Sequence, residues 1–179
     1  FLHSAIFFLF FYFLNMLVSI PINYYSTFII EEKFGFNKTT KKTFLADILK
    51  GTLMSILIGG LLLAVAILIL NYFSEGFWFW LWLSLSIFTV FISMFYTSLI
   101  VPIFNKLSPL EDGSLKTKIQ QYSDKIGYSL KNIFVIDGSK RSSKANAYFS
   151  GFGPKKTIAL FDTLIAVSYT HLRAHETLP

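Results

Sequence analysis

Histidine and carboxylate side chains are the candidates for metal binding in this sequence, because it contains three His and no Cys. His171 and His175 stand four residues apart, a spacing that lets both face one metal ion from a helix. In catalytic sites of this kind a Glu follows the first His and activates the metal-bound water, but here Leu172 holds that position. Glu176 follows the second His and would project from another face of the helix. We therefore expect no metal ligand and no catalytic residue in this pair.

A second set of candidate residues, Asn146, Ala147, Tyr148 and Phe149, predicts a short strand bounded by turn residues. An exposed strand edge can bind an extended peptide through backbone hydrogen bonds. Asn146, at the start of the strand, could add a side-chain hydrogen bond to that peptide. The alternative is an ordinary strand with alternating side chains, and the spacing alone favours this alternative.

Three cations, Lys140, Arg141 and Lys144, precede this strand. They could bind an anionic group. Nearby cations on a loop are more typical of a solvated, positively charged surface, so this cluster does not by itself predict a binding site.

Lipid is the solvent that the composition indicates for much of the chain. Of the 179 residues, 54% are hydrophobic and 15% are charged, against about 25% charged residues in soluble domains. Three apolar stretches, at about residues 1–20, 51–73 and 77–104, are long enough to cross a bilayer as helices. The net charge of +6 is typical of Lys and Arg on the cytosolic side of a membrane protein, and we expect no nucleic-acid partner.

The distribution of lysines predicts the orientation of these spans. The loop at residues 31–50 carries five lysines, whereas the loop at residues 71–76 carries none. The five are Lys33, Lys38, Lys41, Lys42 and Lys50. Because Lys and Arg accumulate on the cytosolic side, we predict a multi-pass integral membrane protein with the first loop, and the chain after residue 104, in the cytosol.

From residue 105 onward the pattern predicts a small cytosolic α+β unit in a mainly α protein. Apolar residues recur on one face of a helix between Leu115 and Ile126. Three short strands, which we expect to be antiparallel, follow at residues 132–136, 147–149 and 157–161. Residues 166–179 then change composition abruptly and have no clear period, so we predict a non-native tail there.

Several motifs follow one another in a set order along the chain. They lie at residues 30–40, 44–50, 102–106, 109–110, 137–142, 146–149 and 161–164. In this order they resemble the Ste24-type CAAX prenyl protease family, which consists of membrane zinc metalloproteases of peptidase family M48. The resemblance extends from near the start of the chain to about residue 165.

The resemblance implies a multi-helix membrane region, here residues 1–104, followed by the N-terminal part of a metallopeptidase unit at residues 105–165. It implies a zinc ion held by two His of an H-E-x-x-H helix and by a later Glu. It also implies cleavage of peptide bonds near a prenylated C-terminus, or in other membrane-associated peptides. For Asn146, Ala147, Tyr148 and Phe149 it implies the role of the substrate-binding strand.

The zinc helix should follow residues 161–164 after a helical segment, but the predicted tail takes its place. We therefore expect a fragment that lacks the zinc-binding motif, binds no zinc and is inactive by itself. The alternative is a non-catalytic polytopic membrane protein, such as a scaffold or a transporter-like homologue that retains the helices.

The predicted orientation can be tested by cysteine labelling from outside intact cells, because the chain has no native Cys. A membrane-impermeant reagent should label Glu75→Cys and leave Lys41→Cys unlabelled. The reverse pattern would overturn the orientation.

Overall fold

Three long helices make up most of the first 104 residues of the chain. The computed structural model describes residues 2–73, 75–128, 130–151 and 156–168. The long helices are α1 (Leu2–Tyr25), α2 (Lys41–Tyr72) and α3 (Phe77–Phe95). π-Helical turns at Ser26–Glu31 and Tyr96–Ile100 prolong α1 and α3, and α4 (Val101–Phe104) follows the second of these turns.

All three helical stretches are long and apolar enough to cross a membrane. They are Ala5–Glu31, Lys41–Tyr72 and Phe77–Phe104, of 27, 32 and 28 residues. Each exceeds the roughly 20 residues that a hydrocarbon core of about 30 Å requires. Large apolar side chains lie exposed along them, such as Leu57 at 72% and Trp78 at 68%. Such a surface is stable in lipid and unfavourable in water, so the prediction of three transmembrane helices is confirmed.

The first two helices are longer than predicted. α1 continues through Pro21, where we expected it to end, because neighbouring groups can replace the backbone hydrogen bond that a proline removes from a membrane helix. α2 begins at Lys41 instead of Gly51. Thr40 caps it, since its side-chain oxygen accepts a 3.1 Å hydrogen bond from the N–H of Thr43. The connection between the two helices therefore shortens to residues 32–40.

A four-stranded sheet with the strand order β1-β2-β4-β3 forms the centre of the second half of the chain. Its strands are β1 (Leu107–Pro109), β2 (Asn132–Ile136), β3 (Ala147–Ser150) and β4 (Thr157–Phe161). β1 pairs antiparallel with β2 and β3 pairs antiparallel with β4, whereas β2 and β4 are parallel. The predicted α+β unit is confirmed, but the expectation of three antiparallel strands was wrong about the parallel pair and missed β1.

β4 lies in the interior of the sheet because its side chains are apolar on both faces. Four consecutive residues, from Thr157 to Leu160, are buried. A strand that is covered on both faces has a nearly continuous apolar run instead of an alternating pattern. At an edge of the sheet, this run would be exposed along one side. β4 lies between β2 and β3, and it runs parallel to β2.

Two apolar clusters cover the faces of the sheet. The first contains Leu110, Ile133, Ile158 and Leu160, with Leu115 and Ile119 of α5 (Ser114–Lys125) packed against it. The second contains Val101, Ile136 and Ala159, with Leu107, Tyr148 and Phe161 packed against it. Residues 162–168, which follow β4, are helical and contribute Leu164 and Ile165 to the first cluster.

The chain divides into two compact units, Phe1–Phe88 and Thr89–Pro179. The end of α3 therefore groups with the sheet. The predicted strand at Asn146–Phe149 and all the contacts described for it lie within the second unit.

Gly138 leaves no room for a side chain, since a Cβ atom on it would lie 2.5 Å from Cδ2 of Phe161. The Phe161 ring packs on the second cluster, so relief of this contact would disturb the sheet. We expect Gly138→Ala to lower the free energy of unfolding by about 1–3 kcal/mol, measured by thermal unfolding in detergent with circular dichroism. Gly113→Ser is the control, because a Cβ there meets nothing within 4 Å and serine is a good helix N-cap. An equal loss in both variants would contradict the steric explanation.

Candidate functional site

β3 is an edge strand of the sheet, and within the described ranges no strand pairs with its outer side. The opposite edge of the sheet is β1, which is three residues long and contains Pro109. Short edge strands and proline discourage pairing with another chain, because proline has no N–H to donate. The two edges therefore differ, because Pro109 removes a donor from β1 whereas β3 contains no proline.

The ladder between β3 and β4 determines which backbone groups of β3 point outward. The N–H of Phe161 donates a 3.0 Å hydrogen bond to the carbonyl of Asn146. In an antiparallel pair, hydrogen-bonded and non-hydrogen-bonded residue pairs alternate. The register pairs Tyr148 with Ala159, so these two exchange the next hydrogen bonds. The N–H and C=O groups of the residues on either side of Tyr148 are then directed toward the free edge.

The side chain of Asn146 lies at this free edge. Its Oδ1 accepts a 2.9 Å hydrogen bond from the N–H of Ala147, one of the outward-directed donors. The amide nitrogen of Asn146 remains as a donor on an exposed residue. The structure thus brings the predicted residues together at one edge. It also shows that the Asn146 side chain occupies the first outward N–H of the strand, that of Ala147, by a hydrogen bond.

The side chains of β3 alternate between two concave surfaces. Ala147 and Phe149 face an apolar groove of about 700 Å³ beside α5. Tyr122 and Ile126 belong to the apolar helix face that the sequence predicted between Leu115 and Ile126. Both line this groove and remain 65% and 56% exposed. Only the first part of that apolar face, at Leu115 and Ile119, packs on the sheet.

Tyr148 and Ser150 face a smaller pocket of about 400 Å³. The ring of Tyr148 makes an edge-to-face contact with Tyr96, with ring centroids 6.1 Å apart. The hydroxyl of Ser150 lies 2.5 Å from the hydroxyl of Thr97. Thr97 therefore pairs with Ser150, and among the described residues the Tyr148 hydroxyl is the buried side-chain polar atom that has no hydrogen-bond partner.

Burial raises the pKa of the Tyr148 phenol above its ordinary value of 10.0, and the neighbouring Tyr96 raises it further. Because the folded state favours the neutral phenol, the associated stability is fully present below the ordinary pKa. It is lost as the pH rises through the raised pKa. Tyr148 is therefore neutral throughout the physiological pH range and can act as a hydrogen-bond donor.

The segment that leads into β3, residues 137–146, is called the clamp loop here, because polar contacts hold it on two sides. On the first side, Asp137 accepts a 2.7 Å hydrogen bond from the N–H of Lys106. Arg141 donates to the carbonyl of Phe104 at 2.6 Å and to Oδ1 of Asn105 at 2.7 Å. A cation is favoured at the C-terminal end of a helix. Arg141 thus fastens the clamp loop to the end of α4.

On the second side, the helical residues after β4 hold the clamp loop. The carboxylate of Asp162 accepts hydrogen bonds from both the N–H (2.9 Å) and the hydroxyl of Ser139. The hydroxyl of Thr163 donates a 2.9 Å hydrogen bond to the carbonyl of Lys144. These contacts fix the start of β3 relative to β4.

Sequence reasoning missed the role of this network. It treated Arg141 as part of a cation cluster, for a solvated surface or for an anion, whereas its guanidinium is committed to the end of α4. The motifs at residues 102–106, 137–142 and 161–164 were recognised only as separate pieces. The motif at 137–142 follows β2 and the motif at 161–164 ends β4 and follows it. Chain segments that follow parallel strands lie at the same edge of a sheet, so recognition of the parallel pair would have indicated that these two motifs meet.

No three His, Cys, Asp or Glu side chains within the described ranges are grouped so that they could hold a metal ion. Of the three histidines, only His3 is described, and it lies in α1. His171 and His175 lie outside the described residues. The described side chains therefore do not fit a zinc site, and no catalytic step can be derived from them.

Comparison with protein families gives two matches that together extend over most of the chain. The family described as CAAX prenyl protease N-terminal, five membrane helices, matches residues 1–106. Peptidase family M48 matches residues 109–175. The second match includes His171, His175 and much of the stretch at 166–179, whose non-native origin stays a prediction.

Curated relatives include the probable CAAX prenyl protease 1 of Schizosaccharomyces pombe, 42% identical over 168 residues, and CAAX prenyl protease 1 of Saccharomyces cerevisiae, 43% identical over 153 residues. These alignments cover 91% and 85% of this chain and 34% of each relative. The chain thus spans about a third of the length of these relatives. Among solved structures, the crystal structure of S. mikatae Ste24p is similar with a TM-score of 0.85 and 42% identity, over 90% of this chain and 39% of that one.

Proposed function

The chain belongs to the CAAX prenyl proteases of peptidase family M48, and from this premise we propose that it is the substrate-binding part of a membrane zinc endopeptidase. The peptide substrate adds as a strand to the free edge of β3. The observation that carries this proposal is the outward direction of the Ala147 and Phe149 backbone groups, with Asn146 beside them.

In the proposed binding step, the hydrogen bond between Asn146 and Ala147 is replaced by several hydrogen bonds to the peptide backbone. In the absence of peptide, Oδ1 of Asn146 accepts from the N–H of Ala147. An incoming peptide carbonyl takes over this N–H, which frees the Asn146 amide to bind the peptide backbone. The N–H and C=O of Phe149 extend the ladder by one further pair, as in other cases of strand addition.

The side chains of the bound peptide would then alternate between the two concave surfaces beside β3. Every second residue faces the apolar groove at Phe149, and the intervening residues face the pocket at Tyr148. The neutral phenol of Tyr148 is a donor for a carbonyl or hydroxyl group in that pocket. The described residues thus bind and orient a peptide.

The substrates that we propose are proteins cleaved near a prenylated C-terminus, or other membrane-associated peptides. The names of the curated relatives support this substrate class. The membrane helices support it as well, because a prenylated substrate is itself held at the bilayer. We further propose that the sheet lies on the cytosolic side, as the lysine-rich connection after α1 indicates.

Zinc is the cofactor that we propose for the full-length protein, where it would supply a polarised water for peptide hydrolysis. The proposal rests on the family and not on a ligand set among the described side chains. For residues 1–179 alone we propose no activity, since Leu172 stands where a general base is required.

Asn146→Ala should lower kcat/KM for peptide cleavage by up to about tenfold in a full-length protein that carries this segment. The variant loses one hydrogen bond to the peptide, worth roughly 0.5–1.5 kcal/mol, and 1.4 kcal/mol corresponds to about a factor of ten in rate. Zinc content is measured in parallel, so that loss of metal is not mistaken for loss of binding.

Asn132→Ala is the matched control, because Asn132 is an exposed asparagine at the start of β2, away from the free edge. It should leave kcat/KM unchanged. An unchanged kcat/KM for Asn146→Ala would remove the side-chain role, and a longer structure with β3 paired on both sides would remove strand addition altogether.

Purified residues 1–179 should contain less than stoichiometric zinc and should cleave no peptide. A catalytic zinc typically has three protein ligands, and only His171 and His175 are spaced to share one ion. The measurement is metal analysis of the wild type, of the variant with both His171→Ala and His175→Ala, and of His3→Ala as the control. Stoichiometric zinc that disappears only in the double variant would contradict the prediction.

A further inference from the structure

Four lysines lie close together in sequence where the chain passes from α1 to α2, and we propose that they form a binding surface for the headgroups of anionic phospholipids. This lysine surface consists of Lys33, Lys38, Lys41 and Lys42, all of which are exposed. Residues 33–46 contain these four lysines and no acidic residue. The proposal is independent of the proposed peptidase function.

The lysine surface lies at the ends of two candidate membrane spans, on the side where both would leave the bilayer. The membrane-spanning stretch Ala5–Glu31 ends just before it, and the stretch Lys41–Tyr72 begins within it. A connection of nine residues, 32–40, cannot carry these side chains far from the bilayer. Phe34 and Phe36, which are 65% and 40% exposed, lie among the lysines. Exposed Phe side chains together with lysines are typical of segments that bind at a membrane interface.

The connection is folded, so the lysines project from a defined backbone. Gly35 adopts a left-handed conformation with φ of 71°. The side chain of Asn37 donates a 2.8 Å hydrogen bond to Glu32 and accepts one of 2.8 Å from the N–H of Thr39. The Glu32 carboxylate, an acidic group adjacent in sequence to the surface, is thereby held by Asn37.

Aromatic contacts between the end of the first helical stretch and the start of α2 fix the position of the helix that carries Lys41 and Lys42. Phe44, on the first turns of α2, packs edge-to-face against Phe28 and Tyr24, with ring centroids 5.4 Å and 5.9 Å apart. Lys41 and Lys42 therefore begin a helix whose position relative to the end of the first span is determined by packing.

Lys41 and Lys42 occupy a position that is unfavourable without an anion. They lie in the first turn of α2, which contains no acidic residue. The N-terminal end of a helix carries a partial positive charge, so it repels lysine and attracts anions. An adjacent layer of negatively charged headgroups would offset both the positive charge of the two lysines and the partial positive charge of the helix N-terminus.

The residue type favours a lipid surface over a single bound phosphate. All four cations are lysines, whose compact and strongly hydrated ammonium groups respond to a charged surface as point charges. A site for one phosphate group more often uses the fork of an arginine side chain. Each lysine near an anionic bilayer strengthens the attraction by about fivefold.

The test measures the preference of the full 179-residue chain for phosphatidylglycerol over phosphatidylcholine after reconstitution in mixed vesicles, by electron spin resonance with spin-labelled forms of both lipids. The wild type should prefer phosphatidylglycerol, and the preference should fall at high salt. The variant Lys41→Gln/Lys42→Gln should lose up to about 25-fold of this preference, at about fivefold for each lysine. The control Lys118→Gln/Lys125→Gln, which removes the same charge from exposed positions on α5, should retain it.

Equal association of the two lipids with the wild type would overturn the proposal, and so would an equal loss in the control. Suppression of the preference by inorganic phosphate at constant ionic strength would identify a site for free phosphate instead of lipid. If Lys41→Gln/Lys42→Gln fails to reconstitute, Lys33→Gln/Lys38→Gln serves in its place, since it leaves α2 intact. An unchanged preference in that second variant then refutes the surface.

Discussion

The position of β4 between β2 and β3 is the constraint on which the rest of the second unit depends. β4 is apolar on both faces, which two apolar clusters cover, and it pairs with β2 on one side and with β3 on the other. With β4 in the interior, β3 becomes an edge strand and its alternate backbone groups are directed outward. The candidate binding edge is therefore a consequence of how the sheet buries its most apolar strand.

The polar contacts of the clamp loop determine where this edge begins. A hydrogen bond to a charged group contributes only about 1.5–3 kcal/mol, and a neutral one about 0.5–1.5 kcal/mol. These contacts matter more for the position of the loop than for its stability. Arg141 bonds the loop to the end of α4, and Asp162 bonds it to the end of β4. Asn146, the last residue of the loop, is thus placed at the free edge with little freedom to shift along it.

The membrane helices obey a different constraint, because lipid imposes no penalty on their exposed apolar side chains. In α2 a single residue, Ile69, is buried, although the helix has 32 residues. Polar contacts are few along these helices; within α1, Ser19 donates to Asn15, and Thr52 of α2 donates to the sulfur of Met16. At the start of α2, Thr40 caps the helix. The same chain therefore uses lipid as the solvent for its first unit and an internal core for its second.

The sequence by itself determined the features that depend on local composition and periodicity. Runs of apolar residues as long as a bilayer is thick predict transmembrane helices whatever surrounds them, and three were found as expected. The helix at α5 and the strands at β2, β3 and β4 also followed from local patterns. The exact ends of α1 and α2 did not, because Pro21 is tolerated in a membrane helix and because one threonine, Thr40, sets the start of α2.

Only the tertiary structure decided the features that depend on which segments meet. The parallel pairing of β2 with β4, the exposure of Tyr122 and Ile126, and the commitment of Arg141 to α4 all involve residues distant in the chain. The apolar pattern of a strand shows that the strand is buried, but it does not show which strands lie beside it. Likewise, the residues next to a cation in sequence do not show which group the cation will bind. The free edge at Asn146 to Phe149 is such a feature, because within the described ranges β4 pairs with one side of β3 and no strand pairs with the other.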